Sequence, residues 1–175
     1  MKLGRWALAL GGFAASLAAA QTLPGTSIRD HDRNAEIVLD AGRIEVLDRQ
    51  NQAIATGNVA VKQGNLDLDA SRVRVFYDTV GGDVQVDRLD ADGDVRIATP
   101  AENARSARAI YDVDSAQITM LGGVVLERGT DVLRGERLMI DLASGRSTFD
   151  AAVNAETGQP GRVTGRFTPS TRERE

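Results

Sequence analysis

The 175-residue chain carries a formal charge of −4, no cysteine and one histidine, His31. The lack of cysteine excludes disulfides, thiolate metal sites and thiol catalysis, and a single histidine, placed in a polar stretch before the repeats, makes neither a Ser/His/Asp triad nor a multi-histidine zinc site an expectation. With 21 basic against 25 acidic residues and no Lys/Arg-rich stripe, nucleic acid is not an expected partner.

In chain order, residues 1–20 read as a secretory signal peptide. Lys2 and Arg5 form a basic start, Trp6 to Ala15 an apolar run too short to span a bilayer, and Ala18-Ala19-Ala20 a small-residue cleavage site. Cleavage after Ala20 removes two positive charges and takes the net charge to −6. No cysteine follows the site, so a lipoprotein anchor is not expected. Residues 21–34 read as a flexible leader, residues 35–167 as one β domain, and residues 168–175 as a frayed tail.

The β domain repeats itself. Arg43, Arg72, Arg108, Arg137 and Arg166 recur behind small residues at steps of 29, 36, 29 and 29. Val59, Val95, Val124 and Val153 run in phase, and two residues before each stand Gly57, Gly93, Gly122 and Ala151. The unit is therefore 29 residues, with one seven-residue insertion that lengthens a hairpin near "TVGGDVQVDRL". Such units are supersecondary elements that stack to bury an apolar face none could bury alone.

Within each unit the period is two. Val59 and Val61 point one way, Asn58, Ala60 and Lys62 the other. After the Gly64-Asn65 turn, Leu66 and Leu68 continue the alternation, and then the phase slips by one so that Val73 and Val75 take over. The slip recurs between Gly135 and Leu138. Slips at Ser71 and Glu136 predict a bulge or corner, where a strand passes from one sheet to another. Turn signals at Gly81-Gly82, Asp114-Ser115, Gly129-Thr130 and Ser144-Gly145 favour antiparallel hairpins. The expected fold is all-β: an open-ended, two-sheet antiparallel jelly roll of 29-residue repeats.

The alternation assigns an inward set that would line a long apolar trough. It comprises Val59, Val61, Leu66, Leu68, Val73, Val75, Val95, Ile97, Ile118, Met120, Val124, Leu126, Leu138, Ile140, Phe149 and Val153. A trough of this kind suits alkyl chains, since each buried methylene contributes about 0.8 kcal/mol. Past residue 20 there are five Phe and Tyr residues and no Trp, which disfavours stacking against sugars. The arginine column fits an outer face of cross-strand ion pairs. Asp90, Asp92 and Asp94 in "LDADGDV" lack the calcium-loop order, with Gly93 too early and no bidentate Glu, and read as a polar turn. No catalytic constellation, metal site or cofactor motif is present, and no enzyme is expected. The first strand, with Ile37, Val38 and Leu39, and the last, with Val163 and Phe167, carry no proline and leave both edges open to strand addition. Two functions follow: a lipid-carrying trough, or a structural β-repeat protein that polymerises through its edges around a dry core.

The stretch "RIEVLDRQNQAIATGNVAVKQGNLDLDASRVRVFY" resembles the OstA-like domain of the LptA family of periplasmic lipopolysaccharide-transport proteins. The likeness rests on "ATGNVAVKQG" at 55–64 and the alternation at 66–75. It extends to "LGGVVLER" at 121–128 and "LRGERLMID" at 133–141. It implies a curved jelly roll in the periplasm whose interior carries the acyl chains of lipid A. It also implies end-to-end joining with OstA-like domains of inner-membrane and outer-membrane components, while the two open edges lead us to expect head-to-tail homo-oligomers. The family has no catalytic residues to carry over.

Overall fold

A computed structural model describes residues 27–28, 31–153 and 159–169. The proposed signal peptide and residues 170–175 of the tail lie outside them. Ten strands form: β1 (Ile37–Asp40), β2 (Arg43–Leu47), β3 (Gln52–Gln63), β4 (Leu66–Val80), β5 (Asp83–Ala98), β6 (Glu102–Asp112), β7 (Gln117–Arg128), β8 (Asp131–Asp141), β9 (Arg146–Asp150) and β10 (Thr164–Arg166). All pairings are antiparallel and follow chain order from β3 to β8. At the first edge β1 and β2 pair with the two halves of β3, and at the last β10 and β9 pair with the two halves of β8.

Each long strand is bent once at mid-length, and the bend has a local cause. Gly57-Asn58 on β3 take the place opposite Ser71, and the register shifts between Thr56 and Val59. Gly93-Asp94 on β5 and Gly122-Gly123 on β7 do the same opposite Ala107 and Glu136. All six residues have positive φ, from 48° at Asn58 to 86° at Gly122. Two successive residues in that region turn a strand sharply, and Gly, Asn and Asp tolerate it best. Glycine is required for a second reason: a Cβ on Gly122 would lie 2.8 Å from the Ala107 Cβ. The predicted slips at Ser71 and Glu136 are thus the partner positions of the bulges, which lie on the neighbouring strands.

The bends line up into a corner dividing the sheet into two layers. One contains β1, the second half of β3, the first half of β4 and their equivalents through β10; the other contains β2 through β9. The hairpin turns of both layers fall on the side away from the corner, leaving a mouth there. Between the layers lies one apolar core, including Val59, Val95, Ile97 and Val124 from the first layer and Val73, Leu89, Ile118, Met120 and Leu138 from the second. The insertion extends one hairpin, giving β4 and β5 lengths of 15 and 16 residues against 11 and 12 for β6 and β7.

The structure corrects two sequence expectations. "LDADGDV" is not a turn but strand β5, with Leu89 and Ala91 buried and Asp90 and Asp92 on the outer face. Of the leader's described residues, Ser27, Ile28 and His31 are buried against the β domain and not free.

Candidate functional site

Fourteen of the sixteen residues assigned to the trough, from Val59 to Ile140, are buried between the layers. Phe149 is half-buried and packs on that core. Val153 does not belong to it. It is 66% exposed and forms an isolated bridge with Pro160. The reason is local, since the corner position before it is Ala151 where the earlier repeats have glycine. Strand β9 stops at Asp150 and pairing with β8 resumes only at Thr164.

The alternation also sorts the edge residues. Ile37 and Leu39 pack against the core, whereas Val38 between them is 52% exposed on the outer face. Ile37 and Leu39 are therefore interior residues, and only Val38 offers its side chain to the outside. Ile44 and Val46 on β2 share a face with their register partners Ala55 and Ala53, which look inward. They are nonetheless 47% and 57% exposed, because no further rung covers them. At the opposite edge Val163 and Phe167 flank Gly165, the partner of half-buried Leu133, and are 38% and 64% exposed. The apolar interior thus runs from one edge of the jelly roll to the other and emerges at both.

Along its length the interior is closed by its own side chains. Near the hairpin turns of both layers a void of about 10 Å³ remains, lined by Ile37, Val61, Gln63, Leu66, Leu68, Leu89 and Tyr111. That is room for about one water molecule. Any chain of methylenes entering here must part the two layers.

At the mouth beside this void, polar groups clasp the leader. Glu102, at the start of β6, has a side chain 2% exposed. Its Oε2 accepts the Ser27 hydroxyl at 2.8 Å and the Ile28 N–H at 2.9 Å, while its Oε1 pairs with Arg128. Burial pushes this carboxyl up. The Ile28 N–H, the Ser27 hydroxyl and the Arg128 guanidinium outweigh that and hold it below the usual glutamate range. The Gln63 amide N–H groups donate to the Arg33 and Ala35 carbonyls, so its Oε1 accepts from His31 Nε2 at 2.9 Å. The Tyr111 hydroxyl, from the other layer, lies 3.4 Å from the same nitrogen. Burial keeps that phenol protonated, its pKa pushed up to about 12.

The outer face is charged. Arg72 stands opposite Asp92, which stands opposite Arg108, all exposed. Arg96 pairs with Asp69 at 3.2 Å and Arg105 with Glu127 at 2.9 Å, each about half exposed. Sequence reasoning missed Ile28, Leu89, Ala91 and Tyr111 as interior residues, and Glu102 and Gln63 as the clasp. Leu89 and Ala91 were legible in the alternation; the partners of Glu102 depend on a fold 75 residues away in sequence.

The described residues form a bent two-layer β-jelly roll with one continuous apolar interior. Residues 39–146 match the family model described as "LptA/(LptD N-terminal domain) LPS transport protein", and the chain belongs to that family. A relative from Rhizobium meliloti (strain 1021), an uncharacterized protein, is 32% identical over 156 residues, covering 83% of this chain and 84% of the relative. The fold is similar to the crystal structure of LptH, the LptA-homologous periplasmic component of the lipopolysaccharide transport device of Pseudomonas aeruginosa. That match has a TM-score of 0.67 at 20% identity and covers 79% of this chain and 99% of LptH.

Proposed function

We propose that this chain is a periplasmic component of lipopolysaccharide transport that holds the acyl chains of lipid A between its two layers. It would pass them to similar jelly rolls joined at its edges, including the OstA-like domains of inner-membrane and outer-membrane components. One observation carries the reading: the inward apolar face continues to both edges and is uncovered there, at Ile44 and Val46 and at Val163 and Phe167. A self-contained core would be capped at its ends. Family membership supports the substrate class. The lipid supplies apolar surface for the exposed rungs, and strand addition at the edges satisfies their unpaired backbone groups.

The test is site-specific photocrosslinking in cells that make lipopolysaccharide. A photoreactive residue at Val95 or Val124 labels lipopolysaccharide, whereas one at Lys62, exposed on the outer face, does not. Equal labelling from both faces, or none from the interior, would sink the reading. Filaments free of lipid would favour a structural β-repeat protein instead.

A further inference from the structure

The leader residues Ser27, Ile28 and His31 bridge the mouth of the groove, joined to the two layers by side chains and not by strand pairing. Ile28 is fully buried in the core shared by both layers. Its side chain is held by that apolar core, and the polar groups of the three residues are held by side chains at the mouth. The Ser27 hydroxyl and Ile28 N–H both use Glu102 of the first layer; His31 uses Gln63 of the first layer and approaches Tyr111 of the second. A small void of the interior lies beside this contact, lined by Gln63 and Tyr111 among others.

We infer that Ser27, Ile28 and His31 form a displaceable strap, and that Ile28 occupies the place of an entering acyl chain. This rests on the reading of the interior as a lipid groove. The exchange is nearly balanced. About four methylenes replace the apolar surface that Ile28 contributes. When the strap leaves, Oε2 of Glu102 faces water instead of two protein donors, so its hydrogen bonds are exchanged rather than lost. Oε1 keeps Arg128 throughout, so the carboxylate stays charged and in place. The strap closes the empty groove against water and against unrelated apolar molecules. By the same competition it lowers the apparent affinity for lipid in proportion to the fraction of time it is closed.

The absence of native cysteine makes the test clean. In full-length mature protein carrying Ile28→Cys, maleimide labelling is measured without lipid and with purified lipid A in dilute detergent. Ala104→Cys, buried in β6, is the control for general loosening. Lipid A should speed labelling at position 28 about tenfold or more and leave position 104 protected. Separately, Ile28→Asp should bind 11-(dansylamino)undecanoic acid about tenfold more tightly than the parent protein, as the closed fraction is removed. Unchanged protection at 28 while lipid A crosslinks at Val124 would overturn the strap and leave the groove standing. Equal exposure at 28 and 104 would overturn it too, since the whole domain then opens. Failure of lipid A to crosslink at Val124 in both the parent and Ile28→Asp would remove the groove itself, and the strap with it. Crosslinking confined to Ile28→Asp would support the strap as the barrier.

Discussion

The two ends of the jelly roll are built from the same repeat and finish differently. At the first edge β1 and β2 are separated only by Ala41 and Gly42. The Gly42 N–H donates to the Gly57 carbonyl at 2.8 Å, so the chain crosses the corner without leaving its neighbour. At the last edge β9 ends at Asp150 and the chain returns only as the three-residue β10. The difference traces to the corner position, glycine at 57, 93 and 122 and alanine at 151. A Cβ disfavours positive φ at all three glycines, and at 93 and 122 it would also crowd Ser71 and Ala107 of the partner strand. On β3, β5 and β7 a positive-φ glycine carries the strand across the corner, and position 151 has none. The first edge offers the longer surface for strand addition, the last the more exposed apolar side chain.

The strongest way to break this comparison is to give an interior rung the defect of the last one. Gly122→Val places a β-branched side chain at φ 86° and against Ala107. It should cost about 3–5 kcal/mol, read as a lowered urea midpoint. A loss under about 1 kcal/mol would mean the corner does not depend on glycine.

Self-association tests the ends separately. Val38→Pro removes a backbone donor from β1, and Val163→Pro removes one from the residue just before β10. If head-to-tail pairing joins the two edges, either change should lower the concentration-dependent mass seen by light scattering. A response to Val38→Pro alone would place the joint at the first edge only. A strict monomer in the parent protein at high concentration would remove the edge-strand joint.

The clasp contributes less, and its sign with pH follows from Glu102. Its carboxyl is held below the usual range in the folded protein, so its stabilisation is present above the unfolded pKa, about 4.3. It is lost as pH falls through the lower folded value. Glu102→Gln should be less stable than the parent near neutral pH by about 1–2 kcal/mol. The two stabilities should converge in acid. Parallel curves down to pH ~3 would show that the charge of Glu102 is not what holds the clasp.

The smallest effect belongs to the outer arginine column. Arg72 is exposed opposite Asp92, and Arg72→Ala should shift stability by less than about 1 kcal/mol. A loss several times larger, or lost lipopolysaccharide crosslinking, would move this column from solvated pairs to phosphate recognition.

The sequence by itself determined the strands, their inward faces and the corner. Period-two alternation, phase slips at Ser71 and Glu136, and in-phase glycines are all local, backbone-level signals. They could be misread only where charge masked the alternation, as in "LDADGDV", or where a column continued past its glycine, as at Val153. Tertiary structure decided what those signals do not encode. Ile37 and Leu39 turned inward because the β1 register with β3 sets which face meets the core. The leader lost its freedom because Glu102 and Gln63, far along the chain, offer acceptors beside an apolar gap that fits Ile28. No periodicity marks such contacts: a buried carboxylate acquires its partners from the meeting of two hairpin turns with a segment outside the repeat.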